Sequence, residues 1–223
     1  MRGLFNYESR FIQSIMMLAD ILILNVLYLL FSLPLFTIGA AQAGLYTGFR
    51  VLLDADDDSS CAAAFLRGFK NGFTVITPVW LLLTAVAALI GAIYFTVPAY
   101  ALRIVLLSGF CIVIVIQTLS PIYHSWFSCT RRQLMQNAFY LLAAYPLRAL
   151  GSVLLIWAPV LLFFINAHVF MELANLLLFF WYAVAGIFSV LLMKKPYTLS
   201  KAHFLRTHNE IENPIEPQEN TDK

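Results

Sequence analysis

The chain has 223 residues, of which 61% are hydrophobic and 12% charged, whereas a soluble domain is roughly half apolar and about a quarter charged. That balance excludes an ordinary water-soluble domain, which must cover its surface with polar side chains. A net charge of +2 is too weak to mark a nucleic-acid-binding protein, so lipid, not nucleic acid, is the expected surrounding.

The opening residues, Met1 to Ile15, mix Phe5, Tyr7, Phe11 and Ile12 with Arg2, Glu8 and Arg10, the pattern of a short helix at a membrane interface. A first span is expected from about Met16 to Phe36, close to the length that crosses the hydrocarbon core. The small-residue triplet Ala41-Gln42-Ala43 superficially meets the rule for signal-peptide cleavage. The preceding apolar run is too long for a signal h-region and contains Asp20, so an uncleaved span is the better reading. Pro34 removes a backbone donor and disfavours helical geometry at Leu33, which predicts a kink or break over Ser32 to Thr37.

Ile38 to Leu53 is moderately apolar and rich in glycine and alanine. Gly39, Gly44 and Gly48 allow another backbone to approach closely, which predicts a packed helix short of a full crossing. Asp54, Asp56, Asp57 and Asp58 follow in a solvated turn, and Ser59 or Ser60 is available to cap the next helix. There Phe65, Phe69 and Phe73 recur every fourth residue while Arg67 and Lys70 lie off that stripe, which reads as an interfacial helix with one apolar face and one basic edge.

Further spans are expected at about Val75–Val97 and Arg103–Tyr123, an antiparallel hairpin joined near Pro98. A more polar stretch, His124 to Arg148, precedes spans at about Ala149–Ile165 and Met171–Met193. Beyond Lys194 and Lys195 the composition turns polar. The expected fold is all-α: a polytopic membrane helical bundle with about five transmembrane helices plus short interfacial helices. It divides into an N-terminal interfacial segment (1–15), a membrane helical domain (16–197) and a polar, largely disordered cytoplasmic tail (198–223).

In this five-span reading Arg50, Arg67, Lys70, Arg131, Arg132, Arg148, Lys194, Lys195, Lys201, Arg206 and Lys223 fall on one side, against Arg2, Arg10 and Arg103 on the other. The positive-inside rule then places the C-terminus in the cytoplasm and the N-terminus outside, although Arg2 and Arg10 oppose it.

Within the spans, polar side chains carry the chemical interest. Asp20 is ionisable inside an apolar run, the default mark of a functional residue, though it lies about one turn from the span's start, where interfacial water reaches it. Asn25 and Ser32 share a helix face, and Gln42 follows the break. Asp20, Asn25 and Gln42 are the candidate intramembrane polar residues. Gln117, Thr118 and His124 lie close enough along the third span to join one polar cluster. Gly44–Gly48 and Gly68–Gly72 each match the GxxxG spacing, with local packing favoured over dimer formation because neither sits in a clean span.

Cofactor and metal chemistry are not indicated. Cys61, Cys111 and Cys129 form no CxxC pair. The aspartate run lacks the glycine and the distal glutamate of an EF-hand. His168 and Glu172 share a helix face without a second ligand pair and read as a polar helix end. The chain contains no GxSxG, GxxxxGK or HExxH, so no catalytic residue is assigned and a non-enzyme is expected.

The stretch Ser32-Leu33-Pro34-Leu35-Phe36-Thr37-Ile38-Gly39-Ala40-Ala41-Gln42-Ala43-Gly44-Leu45-Tyr46 resembles the signature of the YesL-like bacterial membrane proteins, a domain of unknown function (number 624). Phe65-Leu66-Arg67-Gly68-Phe69-Lys70-Asn71-Gly72-Phe73 resembles that family's Phe-rich basic element, and Ser120-Pro121-Ile122-Tyr123 and Gln136-Asn137-Ala138-Phe139 fit its later pattern. The resemblance extends over roughly Leu4 to Tyr197. It implies a multi-pass protein of the bacterial cytoplasmic membrane, with relatives often encoded beside carbohydrate ABC transporters, glycoside hydrolases or sugar-responsive regulators. It supplies no catalytic residues.

The expected role is a non-catalytic accessory or regulatory component of carbohydrate uptake. Phe65, Arg67, Phe69, Lys70 and Phe73 are the candidate docking residues, and the permease subunits of a carbohydrate ABC transporter the expected partner. The alternative is a small-solute or sugar transporter acting alone, with Asp20, Asn25 and Gln42 along its path.

Overall fold

The computed structural model describes residues 4–54, 59–127, 130–165, 181–182 and 184–194. All regular structure among these residues is helical. The expected tail, Cys129, the central aspartates and the His168/Glu172 pair lie outside them.

Helix α1 spans Leu4–Ser32 without interruption, so the opening segment and the first apolar run form one helix. Pro34 ends it, and a single 3-10 turn at Leu35–Thr37 reverses the chain. The break leaves carbonyls without helical partners, and Thr37 satisfies them: its hydroxyl donates to the carbonyls of Phe31 and Pro34, and its N–H donates to Pro34 at 2.9 Å.

Helix α2, Ile38–Leu52, is the most enclosed element, with Ala40, Ala41, Ala43 and Phe49 fully buried. It runs antiparallel to α1: Leu24 packs at Gly48, and the Tyr28 hydroxyl reaches Gln42. Its small residues then meet α3, which spans Cys61–Thr96 and runs antiparallel to α2. The Ser60 hydroxyl accepts the Ala63 N–H at 3.3 Å as the N-cap of α3.

The expected interfacial helix and second span are therefore one continuous 36-residue helix, about 54 Å long. That exceeds the ~30 Å hydrocarbon core. Pro78 sits inside it and leaves the Thr74 carbonyl without its helical donor. Arg131, 57 residues along the chain, supplies the replacement: its Nε and Nη2 donate to that carbonyl at 3.2 and 2.9 Å.

Helix α4, Tyr100–Trp126, returns antiparallel to α3 and is tied to it by the Gln117 amide, which donates to the Thr84 hydroxyl at 2.8 Å. Helix α5, Arg131–Ala144, opens with Gln133 accepting the Thr130 N–H at 3.0 Å, half of a capping box. Helix α6, Pro146–Ile165, leaves α5 through a 108° corner at Tyr145, with proline at its first position, where no donor is lost.

The last described helix, α7, covers Val184–Lys194. It packs Gly186 against Phe49 of α2, and Leu192 lies beside Gly151 of α6. Pro159 within α6 orphans the Leu155 carbonyl in the same way as Pro78 does Thr74. The Trp181 indole N–H takes it at 2.9 Å.

Among the described residues, three stretches are long and apolar enough to cross a membrane, Ser14–Ser32, Cys61–Thr96 and Tyr100–Trp126, and a fourth arises if the bent α5–α6 pair forms one span. The helical membrane bundle expected from composition is thus present with three or four such helices. The expected fifth span falls largely outside the described residues, α7 being its end.

Candidate functional site

Two features stand out from this frame: a polar cluster where α1 and α2 meet Tyr182, and a basic edge where α3 meets α5.

The cluster is built on Tyr28, one turn beyond Asn25. The Tyr28 ring lies 5.5 Å from that of Tyr182, and its hydroxyl reaches the side chains of Ser32 and Gln42. Tyr46, one turn along α2 from Gln42, is buried close to both tyrosines. Asn25 is 2% exposed, and its Oδ1 has no partner among the described residues. An unmet acceptor in an apolar interior carries a free-energy cost.

Of the three intramembrane polar candidates, Asn25 and Gln42 belong to this region. Asp20 does not: it is half-buried and sits eight residues before Tyr28, about 12 Å along the helix axis. Because Leu24 lies opposite Gly48, the antiparallel register puts Asp20 near the C-terminal end of α2, about level with Leu52. Asp20 therefore stands apart from the group around Tyr28 and Gln42. Sequence reading missed the three tyrosines, because a tyrosine within an apolar run gives no sign of which helix its hydroxyl will face.

Gln117 and Thr118 do not join one cluster with His124. Gln117 bonds Thr84 on α3, whereas the Thr118 hydroxyl accepts the Trp157 indole N–H from α6 at 3.0 Å. Adjacent residues on a helix point about 100° apart, so the pair ties α4 to two neighbours. His124 is half-buried, and its Nδ1 has no partner among the described residues.

The docking candidates divide. Phe65 is fully buried, and Phe69 packs between the rings of Phe65 and Phe31, at 6.4 and 4.7 Å. Phe65 and part of Phe69 are thus taken up by packing within the chain, against α1 and α2. Phe73 remains 43% exposed, and Arg67 and Lys70 are exposed, Arg67 donating to the Ser59 hydroxyl at 2.9 Å. One turn beyond Lys70, the Thr74 carbonyl holds Arg131, with exposed Arg132 beside it. Two basic segments distant in sequence therefore meet on one edge.

The close-packing glycines act within the chain. A Cβ at Gly39 would lie 2.7 Å from Trp80 Cβ, one at Gly44 2.9 Å from the Phe65 carbonyl, and one at Gly48 would overlap Leu24. Gly68 and Gly72 are closed in the same way by Thr47 and Ala43, at 2.5 and 2.8 Å. Both GxxxG motifs thus serve local helix contact, holding α2 against α1 and α3.

Among the described residues no group of three or more His, Cys, Asp or Glu side chains is placed to hold a metal ion. Neither Cys61, which is buried, nor Cys111, which is exposed, forms a disulfide among the described residues.

Long apolar helices joined by part-buried side-chain bonds place the chain in the class of helical membrane proteins. Residues 21–96, 76 of the 223, match the profile of a family described as "Protein of unknown function, DUF624". The matched segment contains the C-terminal part of α1, the Pro34 turn, α2 and all of α3. Nothing among curated proteins or solved structures matches the chain.

Proposed function

We propose that the protein is a non-catalytic accessory or regulatory component of the bacterial cytoplasmic membrane, multi-pass with its C-terminus cytoplasmic, and that it docks a partner through the basic edge of α3. The observation carrying this reading is the division of α3: Phe65 is buried and Phe69 partly buried against the core, while Arg67 and Lys70 stay exposed. That edge suits an acidic cytoplasmic surface, and the recognition is electrostatic and salt-sensitive.

The association with carbohydrate uptake, and permease subunits of a carbohydrate ABC transporter as the partner, rest on the YesL-like resemblance alone. Affinity purification from gently solubilised native membranes is the direct test. Stoichiometric recovery of permease subunits, lost in Arg67→Glu/Lys70→Glu, is the expected result. Recovery of the protein alone, or retention of the partner by the charge-reversed variant, overturns the reading.

A second reading, a small-solute or sugar transporter acting alone, is favoured by one observation, the polar cluster of Asn25, Tyr28, Gln42, Tyr46 and Tyr182. It requires sugar accumulation in vesicles containing this protein alone, abolished by Gln42→Leu. Vesicles that accumulate nothing exclude it.

A further inference from the structure

The exposed surface of α3 changes character near one residue. Up to Thr74 it carries Arg67, Lys70, Asn71 and Thr74 among the exposed Leu66 and Phe73, and beyond Val75 its exposed large side chains are apolar: Leu81, Leu82, Val86, Leu89, Ile93 and Phe95. Such a change marks the edge of the hydrocarbon layer. Arg131, the first residue of α5, is fastened at that edge through the Thr74 carbonyl.

The 108° corner then turns α5 across the direction of α6, so α5 lies near the membrane plane when α6 crosses. Leu134, Ala138 and Leu141 face the bundle, leaving Arg132, Gln136, Phe139 and Tyr140 outside, the last two 48% and 66% exposed. Arg132 and Phe139 are seven residues apart and share one side. Leu147, just past the corner, is 86% exposed. Arginine beside uncovered aromatic and aliphatic side chains is the surface of a helix lying in a membrane interface.

We propose that the outer face of α5 binds anionic phospholipid. Arg132 and the N–H groups of Arg131 not engaged by Thr74 pair with the headgroup phosphate, and Phe139, Tyr140 and Leu147 sit at the acyl boundary. This goes beyond partner docking at Arg67 and Lys70 and does not depend on it.

The test uses the full chain in pure-lipid vesicles, with cysteine placed by Tyr140→Cys or Asp54→Cys in a background lacking Cys61, Cys111 and Cys129, and a charged maleimide on both sides of the bilayer. Tyr140→Cys is expected to label about tenfold more slowly than Asp54→Cys. In native mass spectra the unsubstituted protein retains phosphatidylglycerol over phosphatidylcholine. Arg131→Gln/Arg132→Gln lowers that preference by about fivefold or more, and Arg131→Lys/Arg132→Lys, which keeps the charge and checks folding, preserves it. Equal retention of the two lipids, or equal labelling rates, overturns the proposal. Protection of Tyr140→Cys in native membranes but not in pure lipid also overturns it, assigning the face to a protein.

Discussion

A proline inside a helix leaves the carbonyl four residues earlier without a donor, and here two such carbonyls are taken by side chains from distant elements. Pro78 frees Thr74 for Arg131, and Pro159 frees Leu155 for Trp181. Water competes poorly near a hydrocarbon layer, so these bonds are tertiary ties as well as local repairs. Arg131→Ala is expected to destabilise the protein by about 1 kcal/mol. Most of that loss should vanish in a Pro78→Ala background, where the backbone N–H returns and Thr74 needs no outside donor. Unfolding of the four proteins of this cycle in mixed detergent measures the coupling, and additive losses would refute the link.

At the scale of elements, α2 is held by absence of side chain. Gly44 and Gly48 admit Phe65 and Leu24, and Gly68 and Gly72 admit Thr47 and Ala43. Dispersion between close helices replaces the hydrophobic drive that lipid does not provide. Gly68→Leu should therefore cost about 1–3 kcal/mol by overpacking. Gly91→Leu should cost little, since a Cβ there meets nothing within 4 Å. Thermal denaturation in detergent compares the two, and similar midpoints for both would show that α2 and α3 are not packed through these glycines. The same contacts explain why the stripe Phe65/Phe69 is core. Its spacing predicts an apolar face correctly, but spacing cannot state whether lipid, a partner or α2 covers that face.

For the whole molecule, the remaining question is orientation. The proposed arrangement puts the C-terminus in the cytoplasm, so a fluorescent protein fused after Lys223 should fluoresce and an alkaline phosphatase fusion there should be inactive. The reverse pattern would invert the assignment of every basic segment. The all-helical membrane character, the break at Pro34, the Ser60 cap and the α3–α4 hairpin were legible in the sequence, because composition, proline chemistry, capping and apolar length act locally or through solvent. The tertiary structure alone decided that α3 is one continuous helix, that Asp20 stands apart from Gln42, that Gln117 and Thr118 serve different helices, and that Arg131 returns to Thr74. Each depends on which faces of distant helices meet, and an apolar sequence pattern fixes the existence of a face but not its neighbour.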